Sequence, residues 1–137
     1  MRFFVAVTDN DWFDYLSQIM PDELNFWRPS GRDFSAVEVG SPLLFKLRRP
    51  WNHIAGGGFF VKALQLPVSL AWDAFGEKNG APDYGTLLSL IQSHRRSSER
   101  DPEIGCIILN EPFFIPREEW IAIPEDWSEP GLPVCYW

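Results

Sequence analysis

Residues 53 to 67 read HIAGGGFFVKALQLP, the pattern of a long strand with three consecutive glycines inside it. Glycine weakens a strand interior, so Gly56 to Gly58 indicate a bulge, a tight barrel bend, or a place where another backbone or a ligand comes close. The preceding run, from Pro42 to Arg48, predicts a second strand. The residues RPWN between the two runs favour a tight turn, so the sequence predicts an antiparallel hairpin.

Short helices and further strands surround this hairpin in the predicted order. The sequence predicts a strand in RFFVAVT, helices in DNDWFDYLSQI, PVSLAWDAFGEKNG and DYGTLLSLIQSHRR, a strand in IGCIILNEPFFIP broken at Asn110 to Pro112, and a helical turn in PREEW. Thr8 or Asp9 is expected to cap the first helix, and Gly76 to end the second. Residues 25 to 32, NFWRPSGR, are too irregular for a good helix or strand and are predicted to form a loop. The fold class is therefore α+β, with strands that curl into a small barrel.

Length and composition predict one folded domain. A chain of 137 residues with 45% hydrophobic content can bury a core, and we expect a domain over residues 1–127 with a Pro-rich tail or linker over 128–137. The sequence has neither a membrane-length apolar run nor a signal-peptide pattern, so it predicts a cytoplasmic protein with no membrane partner. Cys106 and Cys135 are expected to be buried thiols.

The formal net charge of -7 argues against general binding to nucleic acid, because that affinity comes largely from Lys and Arg. The positive charge is nevertheless concentrated in two runs, KLRRPWNH at 46–53 and SHRRSSER at 93–100. Each run alone is more typical of a solvated surface. A local basic face on an acidic protein remains compatible with this distribution.

Catalytic motifs are absent from the sequence. His53 and His94 lack the spacing of a metal site, and no Walker A, H-E-x-x-H or G-x-S-x-G pattern occurs. The acidic pairs Glu118-Glu119 and Asp9-Asp11 are more typical of helix starts than of acid-base catalysis. The sequence therefore predicts no metal, no cofactor and no enzymatic activity.

A family resemblance rests on six segments that span nearly the whole chain. They are MRFFVAVTDNDW, NFWRPSG, VEVGSPLLFKL, HIAGGGFF, LPVSLAWDAFGEKNG and DPEIGCIILNEPFFIPREEWI. Their order resembles the N-terminal domain of bacterial HNH endonucleases thought to be modification-dependent restriction enzymes. That domain is similar to the PUA-like superfamily, which includes EVE, YTH and ASCH domains, and this implies a small, strongly bent β-barrel with helices at its rim. No HNH motif occurs in these residues, so cleavage is not assigned to them.

The resemblance implies a site that reads a nucleotide turned out of its strand, in an aromatic cage between the end of the first strand and the following loops. A flipped base needs flat walls for stacking and polar groups at its edge. The implied walls are Trp27, Trp51 and Trp12; the implied edge readers are Asn25, Asn10, Asn52 and Ser30; and the implied phosphate contacts are Arg28, Arg32, Arg48 and Arg49. The position of Trp12 on the apolar face of a helix favours a core residue. For Trp27 and Trp51, the sequence favours a wall of the cage and a core position equally. Trp72, Trp120 and Trp127 are assigned to structure.

Three functions are carried forward from the sequence. The first is a specificity module that reads a modified, flipped base in DNA for a restriction system, with an HNH nuclease domain as partner in cis or in trans. The second is an RNA-binding module of the same superfamily. The third is a small hydrolase or other enzyme that uses a surface carboxylate pair; a pocket lined by two or more carboxylates and lacking aromatic walls would favour it.

Overall fold

The computed structural model describes residues 4–29, 37–123 and 134–136, the last three by their backbone alone. The strands are β1 (Phe4–Thr8), β2 (Glu23–Arg28), β3 (Pro42–Leu47), β4 (His53–Pro67), β5 (Glu103–Phe114), β6 (Ile121–Ala122) and β7 (Val134–Tyr136). The helices are α1 (Asn10–Ile19), α2 (Val68–Phe75) and α3 (Tyr84–Arg95), with 3₁₀ turns at Gly76–Asn79 and Arg117–Glu119. None of these helices is long and apolar enough to cross a bilayer.

The strands form one mixed sheet in the order β2-β5-β4-β3-β1-β7, and β6 pairs with β4 outside this path. β1 runs parallel to β3 and β7, whereas the other pairs are antiparallel. No ladder joins β2 to β7 in the described chain, so the sheet is bent but open. The predicted α+β fold is confirmed. Within the segment assigned to a tail or linker, residues 134–136 extend the sheet as β7.

The predicted hairpin is also confirmed. β3 pairs antiparallel with the first half of β4, from Pro42 opposite Phe59 to Lys46 opposite Ile54, with one register shift. The turn between them closes with a hydrogen bond from the Trp51 amide to the Arg48 carbonyl, 3.1 Å long. This turn carries several of the implied site residues to one end of the sheet.

The glycines of β4 lie where other backbones come close. A Cβ on Gly56 would lie 2.5 Å from the carbonyl oxygen of Phe113, and a Cβ on Gly57 would lie 2.6 Å from that of Leu43. β4 is therefore in close contact with β5 on one side and β3 on the other. The β4–β5 register also shifts between Gly57 and Phe59, which identifies a bulge. Both expectations for the glycine run, bulge and close backbone, are met.

β5 continues through the predicted break at Asn110 to Pro112. Glu111 adopts a left-handed conformation with φ of 47°, and its amide donates to the carbonyl of Asp22. The irregularity lies beside the bulge in β4, so the strand bends there without ending.

The core forms where α1 packs on the sheet. Asp9 caps the helix by accepting hydrogen bonds from the amides of Asp11 and Trp12, at 2.9 and 3.0 Å. Trp12 is fully buried and makes edge-to-face contacts with Phe26 and Phe45, with ring centroids 5.7 and 5.2 Å apart. These contacts assign Trp12 to the core.

The prediction of a loop over residues 25 to 32 is wrong for its first half. Residues Asn25 to Arg28 belong to β2, which pairs with β5. This part of the sheet is covered on both faces. Phe26 contacts Trp12 of α1, whereas Trp27 lies beside His94 of α3, with ring centroids 6.1 Å apart. Both aromatic residues are fully buried, so the alternation of a strand leaves neither of them exposed. Ser30 and Arg32 lie outside the described residues.

A buried polar network ties β2 to the 3₁₀ turn Gly76–Asn79. The Asn25 amide nitrogen donates to Asn79 Oδ1 at 2.9 Å and to Cys106 Sγ at 3.3 Å. Trp27 Nε1 donates to the carbonyl of Asn79 at 2.8 Å. Burial raises the pKa of the Cys106 thiol, an effect that the Asn25 hydrogen bond opposes. The predicted buried thiol at Cys106 is confirmed, and Asn25 and Trp27 are structural residues.

We predict that Gly57→Ala destabilises the protein by about 1 to 3 kcal/mol or more, because the added Cβ meets the Leu43 carbonyl. Gly85→Ala is the matched control. Gly85 lies in the first turn of α3, where an added Cβ would have an ordinary van der Waals neighbour at 3.5 Å, so this change should not destabilise the protein. Urea unfolding measures both changes. Equal midpoints for wild type and Gly57→Ala would contradict the close backbone contact.

Trp27→Ala is predicted to reduce the free energy of unfolding by about 3 to 5 kcal/mol, the usual range for removing a large buried aromatic side chain. Trp51 is the comparison, because it lies on the β3–β4 turn and is 37% exposed. Trp51→Ala should reduce the free energy of unfolding by about 1 kcal/mol or less. Thermal unfolding followed by circular dichroism tests this. A Trp27→Ala protein as stable as Trp51→Ala would show that Trp27 is not a core residue.

Candidate functional site

A pocket of about 250 Å³ opens at the end of β1. One wall is α1, which contributes Asn10, Asp11, Phe13, Asp14 and Ser17. The other wall combines the end of β3, the β3–β4 turn and the 3₁₀ turn Arg117–Glu119, through Leu47, Trp51, Arg117 and Trp120. This is the position that the family resemblance implies for an aromatic cage.

Two tryptophans form a corner of the pocket. The ring centroids of Trp51 and Trp120 lie 6.1 Å apart, and their planes meet at 78°. Trp120 is held in place because its Nε1 donates to the carbonyl of Ile115 at 2.9 Å and its ring contacts Phe13. Trp51 is 37% exposed. The corner therefore offers flat apolar surface to a ligand, with one ring anchored and the other accessible.

The Trp120 segment is fastened to the start of β4. The Ile115 amide donates to the Ala55 carbonyl at 2.8 Å, and β6 pairs with His53 and Ile54 directly after Trp120. Residues 53 and 54 in turn follow Trp51 in the chain. Two tryptophans that are distant in sequence are thereby brought to one corner.

Arg117 adds a positive charge at the tryptophan corner. Its guanidinium carbon lies 3.9 Å from the ring centroid of Trp51 and 5.6 Å from that of Trp120, both within the range of cation–π attraction. The residue is exposed, and the described structure shows no salt bridge to its guanidinium. Its charge is available to a ligand at the rim of the pocket.

Asn10 fixes the β3–β4 turn against α1. Its side-chain nitrogen donates to the carbonyls of Arg48 and Arg49 at 3.2 and 2.9 Å, and its Oδ1 accepts from the Arg48 amide at 2.8 Å. Both amide protons are therefore used. Asn10 lines the pocket as implied, but it acts as a positioning residue and has no donor left to read a base edge.

The α1 wall is acidic. Asp11 and Asp14 both line the pocket, and both are exposed. Ionised carboxylates accept hydrogen bonds and donate none. The pocket is thus polarised, with acceptors on the helix and a guanidinium on the opposite turn.

The other implied residues divide into three groups. Arg48, Arg49 and Asn52 lie on the β3–β4 turn beside Trp51, where Arg49 and Asn52 are exposed. Trp12, Trp27 and Asn25 are fully buried, which corrects their assignment to a base pocket: packing against the helices leaves no face of them open to a ligand. Arg28 is half-buried at the end of β2 and does not line the pocket, and Ser30 and Arg32 are not described.

Sequence reasoning missed Arg117 and Trp120. It assigned Trp120 to structure, and Trp120 does have a structural role through its bond to Ile115. The available signal was the segment PREEW, in which a helical turn places an arginine and a tryptophan three residues apart directly after a strand.

Two other features lie near the pocket. A groove of about 470 Å³ between α1 and α3 shares Asp11 with the pocket and is also lined by residues such as Tyr15 and Leu90, and most of the surface that it exposes is apolar. His94 Nε2 lies 3.2 Å from Asp9 Oδ2, a contact that links α3 to the cap of α1. The described residues contain no group of His, Cys, Asp and Glu that suits a metal ion.

Comparisons with known proteins identify the fold. No protein-family model matches the sequence, and no curated protein matches it significantly. Among solved structures, ASCH from Zymomonas mobilis superposes with a TM-score of 0.58 at 12% identity, covering 93% of this chain and 82% of that chain. Two single-substitution variants of the same protein give TM-scores of 0.58 and 0.52. The chain therefore shares the fold of ASCH, whereas membership of the PUA-like superfamily and the HNH context stay predictions.

Proposed function

We propose that this domain binds nucleic acid by holding one unstacked base in the pocket between Trp51 and Trp120. The observation that carries the proposal is the tryptophan corner itself, with Arg117 at its rim. A planar base can stack on one ring while its edge contacts the other. Stacking on an aromatic side chain contributes about 1 to 3 kcal/mol per base.

The size of the pocket supports a single base as the ligand. Drug-sized ligands occupy pockets of roughly 300 to 1,000 Å³. The volume here is about 250 Å³, which suits one ring system. The rest of the nucleic acid would then lie outside, along the exposed residues Arg49 and Asn52 of the β3–β4 turn.

Arg117 has a double role in this proposal. Its guanidinium covers part of the Trp51 ring. A base that enters replaces the guanidinium on the ring, and the freed charge meets the phosphate beside the flipped nucleotide. Arginine is well suited to this exchange because its planar group both stacks and binds phosphate.

The specific form that we propose is a reader of a modified base in DNA, acting as the specificity module of a restriction system. RNA binding is the alternative within the same fold. A carboxylate pocket without aromatic walls would favour the hydrolase alternative; this pocket has two carboxylates, Asp11 and Asp14, but also two aromatic walls, which favour binding. We therefore propose a binding module and not an enzyme.

The deciding experiment measures binding to duplexes that differ only in one base modification, at a fixed salt concentration. Preference for one modification supports the DNA-reading form. Stronger competition by single-stranded RNA than by any modified duplex would favour the RNA-binding form. Equal weak binding to every nucleic acid would remove the proposal.

Trp51→Ala is predicted to weaken binding to the preferred duplex by about 1 to 3 kcal/mol, because one stacking partner is lost. Phe113→Ala is the matched control: Phe113 is also 37% exposed but does not line the pocket. Fluorescence anisotropy with a labelled duplex measures both affinities. The proposal fails if the two substitutions weaken binding equally.

Arg117→Ala should weaken binding and reduce the salt dependence of the affinity. Each phosphate contact to duplex DNA contributes about 0.9 to the slope of log K against log salt concentration, so the slope should fall by about that amount. Arg100→Ala controls for loss of charge, since Arg100 is exposed in the loop between α3 and β5. An unchanged slope in Arg117→Ala would show that Arg117 contacts no phosphate.

A further inference from the structure

We infer that the acidic wall of the pocket selects the base: bases with an exocyclic amino group are accepted, and bases with a carbonyl oxygen in its place are rejected. The inference rests on the proposed function, since it concerns which base enters the same pocket. It is carried by Asp11 and Asp14, which line the pocket from α1.

The chemistry of the two partners determines the preference. Cytosine presents an amino donor at its N4 and adenine presents one at its N6, whereas thymine presents the acceptor O4. An ionised carboxylate can only accept. An amino group therefore forms a charge-assisted hydrogen bond with the acidic wall, whereas a carbonyl oxygen brings two acceptors face to face.

Both carboxylates have oxygens available for such a bond. Asp14 Oδ2 accepts from Gln18 Nε2 at 3.0 Å, which orients the carboxylate and leaves Oδ1 to a ligand. Within the described chain, no hydrogen bond or salt bridge engages the Asp11 carboxylate. The wall is therefore not neutralised by a neighbouring cation of the described protein.

The polarity of the pocket also sets the direction of the nucleotide. Arg117 lies on the wall opposite α1, so the phosphate is attracted to that side. The base edge and the phosphate lie at opposite ends of a nucleotide. When the phosphate of a nucleotide contacts Arg117, the hydrogen-bonding edge of its base therefore faces Asp11 and Asp14.

Two pairs of bases test the inference, because the two members of each pair have almost the same shape. Cytosine and uracil differ by the amino-to-carbonyl exchange and the proton on N3, and 5-methylcytosine and thymine differ in the same way with the methyl group retained. Each base is placed opposite an abasic site in one otherwise identical duplex, so that none of them has to break a base pair. Anisotropy should show about ten-fold tighter binding of the amino member in each pair.

Variants assign the preference to the acidic wall. The double variant Asp11→Asn with Asp14→Asn keeps the side-chain shapes but adds amide donors, so the ratio in each pair should fall to near one. Asp73→Asn, an exposed position on α2, should keep the wild-type ratio. Thermal unfolding verifies that all the proteins are folded.

The outcomes separate the inference from the proposed function. Equal binding within each pair, or tighter binding of uracil and thymine, overturns the inference alone if Trp51→Ala still weakens binding. A preference that survives in the double variant also overturns it, because another group then reads the edge. Binding that is unchanged when the test base is itself replaced by an abasic site removes both the inference and the proposed function.

Discussion

The contact of three backbones at Gly56 and Gly57 is the constraint on which the rest of the structure depends. β4 lies between β3 and β5, and the absence of side chains at these positions lets both neighbours approach closely. β3 leads into the turn that carries Trp51, and β5 leads into the turn that carries Arg117. The glycine run of β4 thus allows the strands that lead to Trp51 and to Arg117 to lie close on either side of it.

The net charge of the chain does not predict the charge at the pocket, because individual charged residues have different local roles. Asp9 is used structurally, since it caps α1 and contacts His94, whereas Asp11 and Asp14 line the pocket. The nearby positive charge comes from the turns and not from the helix. A value of -7 for the whole chain averages over this arrangement and does not describe the field at the site.

Elements with a strong local pattern could be predicted from the sequence. The β3–β4 hairpin follows from periodicity and residue type alone. The sequence narrowed the cap of α1 to Thr8 or Asp9, and the glycine run to a bulge, a barrel bend or a close approach. β2 could not be predicted. Two adjacent large aromatic residues, Phe26 and Trp27, do not alternate with polar ones, and the sequence does not show that helices cover both faces of the sheet here.

For the site, the family resemblance implied Trp51 and Asn10. Trp120 and Arg117 were missed, since long-range contacts with β4, the Ile115 to Ala55 hydrogen bond and the pairing of β6, bring them beside Trp51.

The three hydrogen bonds of Asn10 have a consequence for the thermodynamics of association. They tie the β3–β4 turn to α1 in the free protein, so the stacking surface and the acidic wall already hold their relative positions. A ligand then does not have to immobilise a mobile loop, and less conformational entropy is lost when it binds. If the pocket binds a base as proposed, recognition should therefore be rigid: complementarity of shape and polarity, more than rearrangement of the main chain, should discriminate between ligands.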